Sequence, residues 1–193
     1  MRAIIQEHKD ASNIELEHLK RRGYSFFSTQ NKMIMGYLRS ITITTATYAI
    51  GGFIGMSVYL LCAFIGKALL ETINYAEHYG LVREPGRPVY PRHSWNSNKI
   101  MSSLYLYNVT RHSSHHETAN LNYWELETYP EAPMMSLGYL SIIYLIIFCP
   151  YYYHKMMVGK LIEWDTHFAS TEERKIAMLQ NKASGISLLK NIN

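Results

Sequence analysis

The chain has 193 residues, enough for one domain or for part of a larger enzyme, and a formal net charge of +4. No Lys/Arg block is long enough to argue for nucleic acid, and the two cysteines, Cys62 and Cys149, sit in apolar runs and indicate no disulfide framework. Sixteen tyrosines and ten methionines beside only 18% charged residues lean toward an apolar or interfacial setting, while a mean hydropathy of −0.14 excludes a chain embedded in lipid throughout.

The first residues are charged and carry no apolar core, so no cleavable signal peptide is expected. Asp10 to Arg22 reads as a short amphipathic helix, with Ser12 or Asn13 as its cap and Gly23 as its stop. His8 and His18 lie among charged neighbours without ligand spacing and read as surface residues. From Ser40 to Gly66 there is no charged residue; Arg39 and Lys67 bound the run. A spanning helix needs roughly 20 apolar residues, so the run suffices for one crossing and is short for two straight ones. Gly51, Gly52 and Gly55 fall near its middle, where a hairpin or re-entrant bend fits. Lys32 and Arg39 precede the run, and Arg83 and Arg87 follow it. If positive charge marks the cytoplasmic side, both ends belong there, which favours the hairpin. Lys67 and Glu71 form an i,i+4 pair suited to the interface.

The emerging arm runs into Asn74-Tyr-Ala-Glu-His78-Tyr-Gly-Leu81. A histidine at the polar end of a membrane helix is costly to bury without a purpose. Asn74 shares its helical face, whereas Glu77 diverges from it by about 100°. Pro85, Gly86, Pro88 and Pro91 then exclude regular helix, and His93-Ser-Trp-Asn-Ser-Asn98 is a polar cluster around one large ring. A helix is predicted from near Asn96 or Ser97, with Ile100, Leu104, Tyr107 and Arg111 as its stripe, running into Arg111-His-Ser-Ser-His-His116. The spacing HxxHH puts His112, His115 and His116 on one helical face, so three imidazoles can point at one small volume. Such a pattern belongs to a transition-metal site, and the spacing alone does not name the metal.

Trp124 to Pro133 is a proline-punctuated connection. Met134 to Cys149 is strongly apolar, slightly short of a span, and stopped by Pro150; it suits an interfacial or re-entrant helix as well as a crossing. Tyr151 to Lys155 reads as an aromatic belt at headgroup level, and the lone His154 and His167 as interfacial or surface residues. Beyond Ala169 the sequence is polar, with a helix capped by Ser170 or Thr171 and a frayed tail. The expected fold is all-α: integral membrane helices with one hairpin, and a histidine-rich helical site on the cytoplasmic side. Four stretches follow, an amphipathic cytoplasmic segment at 1–36, the hairpin and histidine-box region at 37–132, an apolar interfacial or re-entrant region at 133–168 and a polar tail at 169–193.

Taken together, Asn74 to Leu81, His93 to Asn98 and Arg111 to His116 resemble the membrane-bound alkane monooxygenases in order and spacing. Glu131-Ala-Pro133 and Gly138-Tyr139 resemble the C-terminal region of that family, and the likeness covers roughly residues 13 to 165. It implies membership of the wider membrane fatty-acid desaturase and hydroxylase superfamily, whose members hold non-haem diiron in a histidine cage. By that resemblance His78, His112, His115 and His116 are iron ligands, with Asn74, Glu77, His93, Asn96 and Arg111 as neighbours able to orient them. It further implies a multi-pass enzyme of the cytoplasmic membrane that hydroxylates the terminal carbon of an alkane or alkyl chain, with electrons from a small iron protein such as rubredoxin.

The family also places HExxH and HxxxHH boxes upstream, and this chain has neither. It therefore resembles a C-terminal half, and four histidines do not complete two iron sites with the family's ligand set. A separate N-terminal half would be the missing partner, and the isolated chain is expected to be inactive. The family commonly reads Arg-His-Ser-Asp-His-His; here Ser114 replaces the aspartate, removing a carboxylate that could orient a ligand or offset metal charge. Arg92 also stands where an acidic residue is expected. The alternatives are an acyl-lipid desaturase or hydroxylase of the same superfamily, and a membrane protein with a partial metal site and no turnover.

Overall fold

A computed structural model of the chain describes residues 2–118 and 120–190. Among the described residues the fold is all-helical, with one isolated bridge between Asn96 and Met134 in place of any strand. The chain divides into two compact units, Met1–Gly66 and Lys67–Asn193.

In the first unit, helix α1 (Arg2–Arg21) begins well before Asp10, so Ser12 and Asn13 lie inside it and cap nothing. Aspartate, serine and asparagine are weak helix formers rather than breakers, and an i,i+4 bond from Gln6 Nε2 to Asp10 Oδ1 at 2.9 Å supports the extra turns. The helix gives way before Gly23, as the sequence predicts. Helix α2 (Lys32–His78) opens on Asn31, whose buried Oδ1 accepts from the amides of Met33 and Ile34 at 3.0 and 3.2 Å. Glu15 Oε1 accepts from the Lys32 amide at 2.7 Å and the Ser28 carbonyl from the Asn31 amide at 2.9 Å, so all four amides orphaned at the helix start are covered.

Helix α2 is long and apolar enough to cross a membrane. Four of its hydroxyls need no water: those of Ser40, Thr42, Thr44 and Thr45 each donate to the carbonyl four residues back. Ile50, Phe53 and Ile54 are exposed, leaving an apolar surface without protein cover. The helix is broken at Gly52, with φ 58° and ψ −156°, a conformation open essentially to glycine alone. A Cβ on Gly55 would lie 2.9 Å from the carbonyl oxygen of Thr47, eight residues earlier, where an unbroken helix would rise about 12 Å. The chain therefore bends sharply between Thr47 and Gly55.

The second unit holds the core. Helix α2 ends at His78; Gly80, with φ 71°, takes the left-handed turn after it, and a Cβ there would meet Leu161 Cδ2 at 2.5 Å. The loop from Tyr79 carries only a 3-10 turn at Pro91–His93, as its prolines predict. The single helix expected to reach the histidine box is instead two short ones, α3 (Ile100–Tyr105) and α4 (His112–Glu117). Tyr107 and Asn108 have φ of 49° and 55°, which ends the helix, and Asn108 is fixed there by donating to the Tyr123 carbonyl at 3.0 Å.

Helix α5 (Tyr139–Phe148) stops before Pro150 as predicted, yet Pro150 also opens helix α6 (Pro150–His167), where its missing amide costs nothing. The predicted belt thus lies on a helix: Tyr151 and Tyr152 are exposed, while Tyr153 starts a buried stripe with Met157, Leu161 and Trp164. Helix α7 (Thr171–Ala183) is the helix expected after Ser170, and a short α8 (Ser187–Lys190) follows where a frayed tail is expected; residues 191–193 lie outside the described residues. Ser170 caps α7 in a capping box with Glu173, and Ala177 and Leu189 pack into the core.

Gly52→Ala should destabilise the first unit by about 1–3 kcal/mol, because alanine must adopt the same strained backbone. Thermal melting in detergent micelles, followed by circular dichroism, measures this. Gly51→Ala, whose Cβ meets nothing within 4 Å, should melt as the parent does.

Candidate metal centre

His78 is placed by the end of α2, and His112 and His116 by two turns of α4. The i,i+4 spacing brings the His112 and His116 ring centroids to 4.3 Å, and the His78 ring lies 5.0 and 5.3 Å from them. Ligand atoms of the three all fall within 4.8 Å of one another, and the facing Nε2 atoms of His78 and His112 approach to 3.2 Å. His115, on the same helix, is exposed, with its ring 5.8 Å from that of His112 and 6.3 Å from that of His116. The three-atom convergence is thus made by His78, His112 and His116, with His115 to one side.

The segment His93 to Ser97 sets this geometry by bonding to both helix ends. His78 Nδ1 donates to the His93 carbonyl at 3.2 Å, which leaves its Nε2 lone pair facing His112 Nε2. The Trp95 amide donates to the Glu77 carbonyl at 2.8 Å, and Trp95 Nε1 to the Tyr79 carbonyl at 2.9 Å. On the other side, Asn96 Oδ1 accepts from the Ser113 amide at 3.0 Å, covering an orphan donor of α4, and its Nδ2 reaches Ser113 Oγ at 2.6 Å. The Ser97 amide donates to the Thr110 carbonyl at 2.9 Å.

The remaining neighbours sort by what they touch. Glu77 is fully buried, and its Oε2 stands 3.4 Å from His112 Nδ1. It faces away from His78 along its own helix, yet α4 brings His112 round to meet it. Asn74 is half-buried one turn before His78. Arg111 turns away, its Nη1 donating to the Leu126 carbonyl at 2.6 Å. Ser114, buried, accepts from the Glu127 amide at 3.1 Å and so braces the connection after the box. His154, read as a lone interfacial residue, is hydrogen-bonded through Nδ1 to the Tyr79 hydroxyl at 2.7 Å. His167 is exposed, as expected.

One residue of this neighbourhood gave no sequence signal beyond its capping box. Glu173 of α7 accepts from His93 Nε2 at 2.6 Å and from Arg92 Nε and Nη2 at 2.9 and 3.2 Å. Arg92, the unexpected cation of the His93 motif, thus has its carboxylate 81 residues away. Burial alone would raise the Glu173 carboxyl, but the bonds from Arg92, the Ser170 amide and His93 outweigh it and hold it at about 2.

Electrostatics keep the imidazoles neutral. Burial, then the nearby His116, His78 and His115, lowers His112 to about 3; burial, then His78 and His115, lowers His116 to about 4. Neutral imidazole is the form that binds metal. Among the described residues, His116 Nε2, His112 Nδ1 and both carboxylate oxygens of Glu77 are buried with no hydrogen-bond partner, as is Arg111 Nε. Three imidazoles with a buried carboxylate behind them fit a divalent transition metal such as iron.

A sequence model described as fatty acid desaturase matches residues 7–153 of the chain. The alkane 1-monooxygenase of Acinetobacter baylyi is 36% identical over 84% of this chain and 41% of its own length. Alkane 1-monooxygenase 1 of Pseudomonas aeruginosa is 38% identical over 73% of the chain and 38% of its own. The hydroxylase component of a Pseudomonas putida xylene/toluene monooxygenase is 30% identical over 95% of the chain and 49% of its own. The chain thus spans less than half the length of these relatives.

The lowered histidine values set the pH response. Unfolded imidazoles take up protons near pH 6.5, whereas the folded His112 and His116 do so near 3 and 4. These two histidines therefore contribute stability that is complete above about pH 6.5 and is lost as the pH drops from there toward 4. Melting temperatures across that range should show this fall, and the double variant His112→Asn, His116→Asn should flatten it.

Proposed function

Because the chain belongs to the fatty acid desaturase family, we propose that it supplies one side of a non-haem iron oxygenation centre in a membrane monooxygenase. The observation that carries this reading is the convergence of His78, His112 and His116 from segments 34 residues apart in sequence. Iron, when bound, would supply the reduction of dioxygen and the oxidation of a carbon–hydrogen bond. His78, His112 and His116 would hold it, and His115 would be available to a second metal of a diiron centre. The His93 carbonyl fixes the proton of His78 on Nδ1, and Glu77 stands where the Nδ1 proton of a metal-bound His112 would point.

The substrate class we propose is an alkane or alkyl chain, hydroxylated at its terminal carbon, with electrons from a rubredoxin-type protein. The likeness to alkane and xylene/toluene monooxygenases supports a monooxygenase, and the exposed apolar faces of α2 support a lipid setting. The break at Gly52 supports a membrane hairpin with both ends and the histidines on the cytoplasmic side. Oxidation of an acyl lipid is the second reading, favoured by the description of the matching family, and product analysis separates the two. Three converging imidazoles leave coordination positions open, and the chain contains no HExxH or HxxxHH box. A partner segment carrying those boxes would complete the centre; without it the chain would be inactive.

Two experiments test these readings. Protein purified in detergent should retain iron by elemental analysis, and the double variant His112→Ala, His116→Ala should lose it; unchanged iron would sink the assignment. With reduced rubredoxin and octane, turnover should require co-expression of a fragment bearing the two boxes. Turnover by the chain alone at the rate of a full-length relative contradicts the need for a partner segment.

For topology, cysteines replacing Lys32 and Arg87 in a background lacking Cys62 and Cys149 should both escape an impermeant thiol reagent in intact cells. Labelling of one alone would give a single crossing.

A further inference from the structure

Glu173 lies beyond the stretch matched by the family, which ends at residue 153. Its carboxylate is 1% exposed and receives four donors: Arg92 Nε and Nη2, His93 Nε2 and the Ser170 amide. A capping box uses only the last of these. His93 Nδ1 accepts from the Tyr90 amide at 3.0 Å, so the ring proton sits on Nε2 and points at Glu173. Residues on both sides of His93 are pinned as well. Trp164 Nε1 donates to the Arg92 carbonyl at 2.7 Å, and the Trp95 amide to the Glu77 carbonyl at 2.8 Å. The one carbonyl of this short segment aimed at a converging histidine is that of His93, at 3.2 Å from His78 Nδ1.

We propose that Glu173 is a positioning residue: by holding the His93 ring it aims the His93 carbonyl at His78 and so fixes the proton of His78 on Nδ1. His78 then offers Nε2 to the metal. The metal-directed half of this proposal rests on the metal reading given above; the fixed proton does not. Arg92 offsets the charge of the buried carboxylate, so an arginine beside His93 and a glutamate on α7 act as one device. A loop that carries no metal ligand of its own is thereby tied to a helix near the C-terminus.

The test reads the proton position directly. Metal-free chain labelled with 15N-histidine, in detergent micelles, should show His78 as the Nδ1–H tautomer. Glu173→Ala should convert it to a mixture of tautomers and weaken Co2+ binding, followed by its visible absorption, about tenfold or more. Ser170→Ala removes the other half of the capping box and should leave both readouts as in the parent. If Glu173→Ala loses helix content by circular dichroism, Glu173→Gln carries the test. It keeps an acceptor for His93 but sets an amide against Arg92, and should show the same change in smaller measure. An unchanged His78 tautomer in both Glu173 variants overturns the proposal, as does Ser170→Ala reproducing the whole effect. A parent chain with the fixed tautomer that binds no Co2+, or binds it equally after His112→Ala, overturns the metal reading and leaves the link from Glu173 to His78 standing.

Discussion

His93 to Ser97 spend their backbone groups on two helix ends that would otherwise have no reason to meet. The segment receives the ring proton of His78, bonds to the last turn of α2 through Trp95, and reaches the start of α4 through Asn96 and Ser97. Ser94, Asn96 and Ser97 are buried, so these polar groups depend on one another and on the helices for their hydrogen bonds. A buried network of this kind is rigid when complete and costly when broken. The separation of His78 from His112 is a consequence of it, and so is the meeting of Glu77 with a histidine from another element.

The same convergence governs the chemistry. Two charges about 4 Å apart cost roughly 4 kcal/mol even at an effective dielectric of 20, so three adjacent imidazoles resist protonation together. A metal ion competes with protons for the same lone pairs and gains from that resistance. The buried carboxyl group of Glu77 stands 3.4 Å from His112 Nδ1, on the side away from the lone pairs, where it can orient the donor ring. The geometry of the site therefore depends on how the end of α2 and the start of α4 are held.

The sequence was most legible where a local rule governs. The uncharged run predicted α2, the glycines predicted its break, and the prolines predicted the irregular loop before His93. The three histidine-bearing motifs pointed to the residues that gather. What escaped was set by long-range packing. Periodicity from Ile100 to Arg111 suggested one helix, but Asn108 tolerates a positive φ and the Tyr123 carbonyl rewards it. The HxxHH spacing suggested three equivalent imidazoles, whereas the partner ring comes from α2 and selects the i,i+4 pair. Glu77 looked misdirected because helical geometry describes one helix at a time. Glu173 lay 80 residues from His93, beyond any periodic signal, and only the fold brings them together.

The convergence of three imidazoles on one ion is tested most directly by X-ray absorption on the chain loaded with Zn2+, a closed-shell probe. Scattering from three imidazoles at about 2.0–2.1 Å is the expected result, falling to two in His78→Ala. A parent spectrum with a single imidazole, or one unchanged by His78→Ala, would contradict the convergent site.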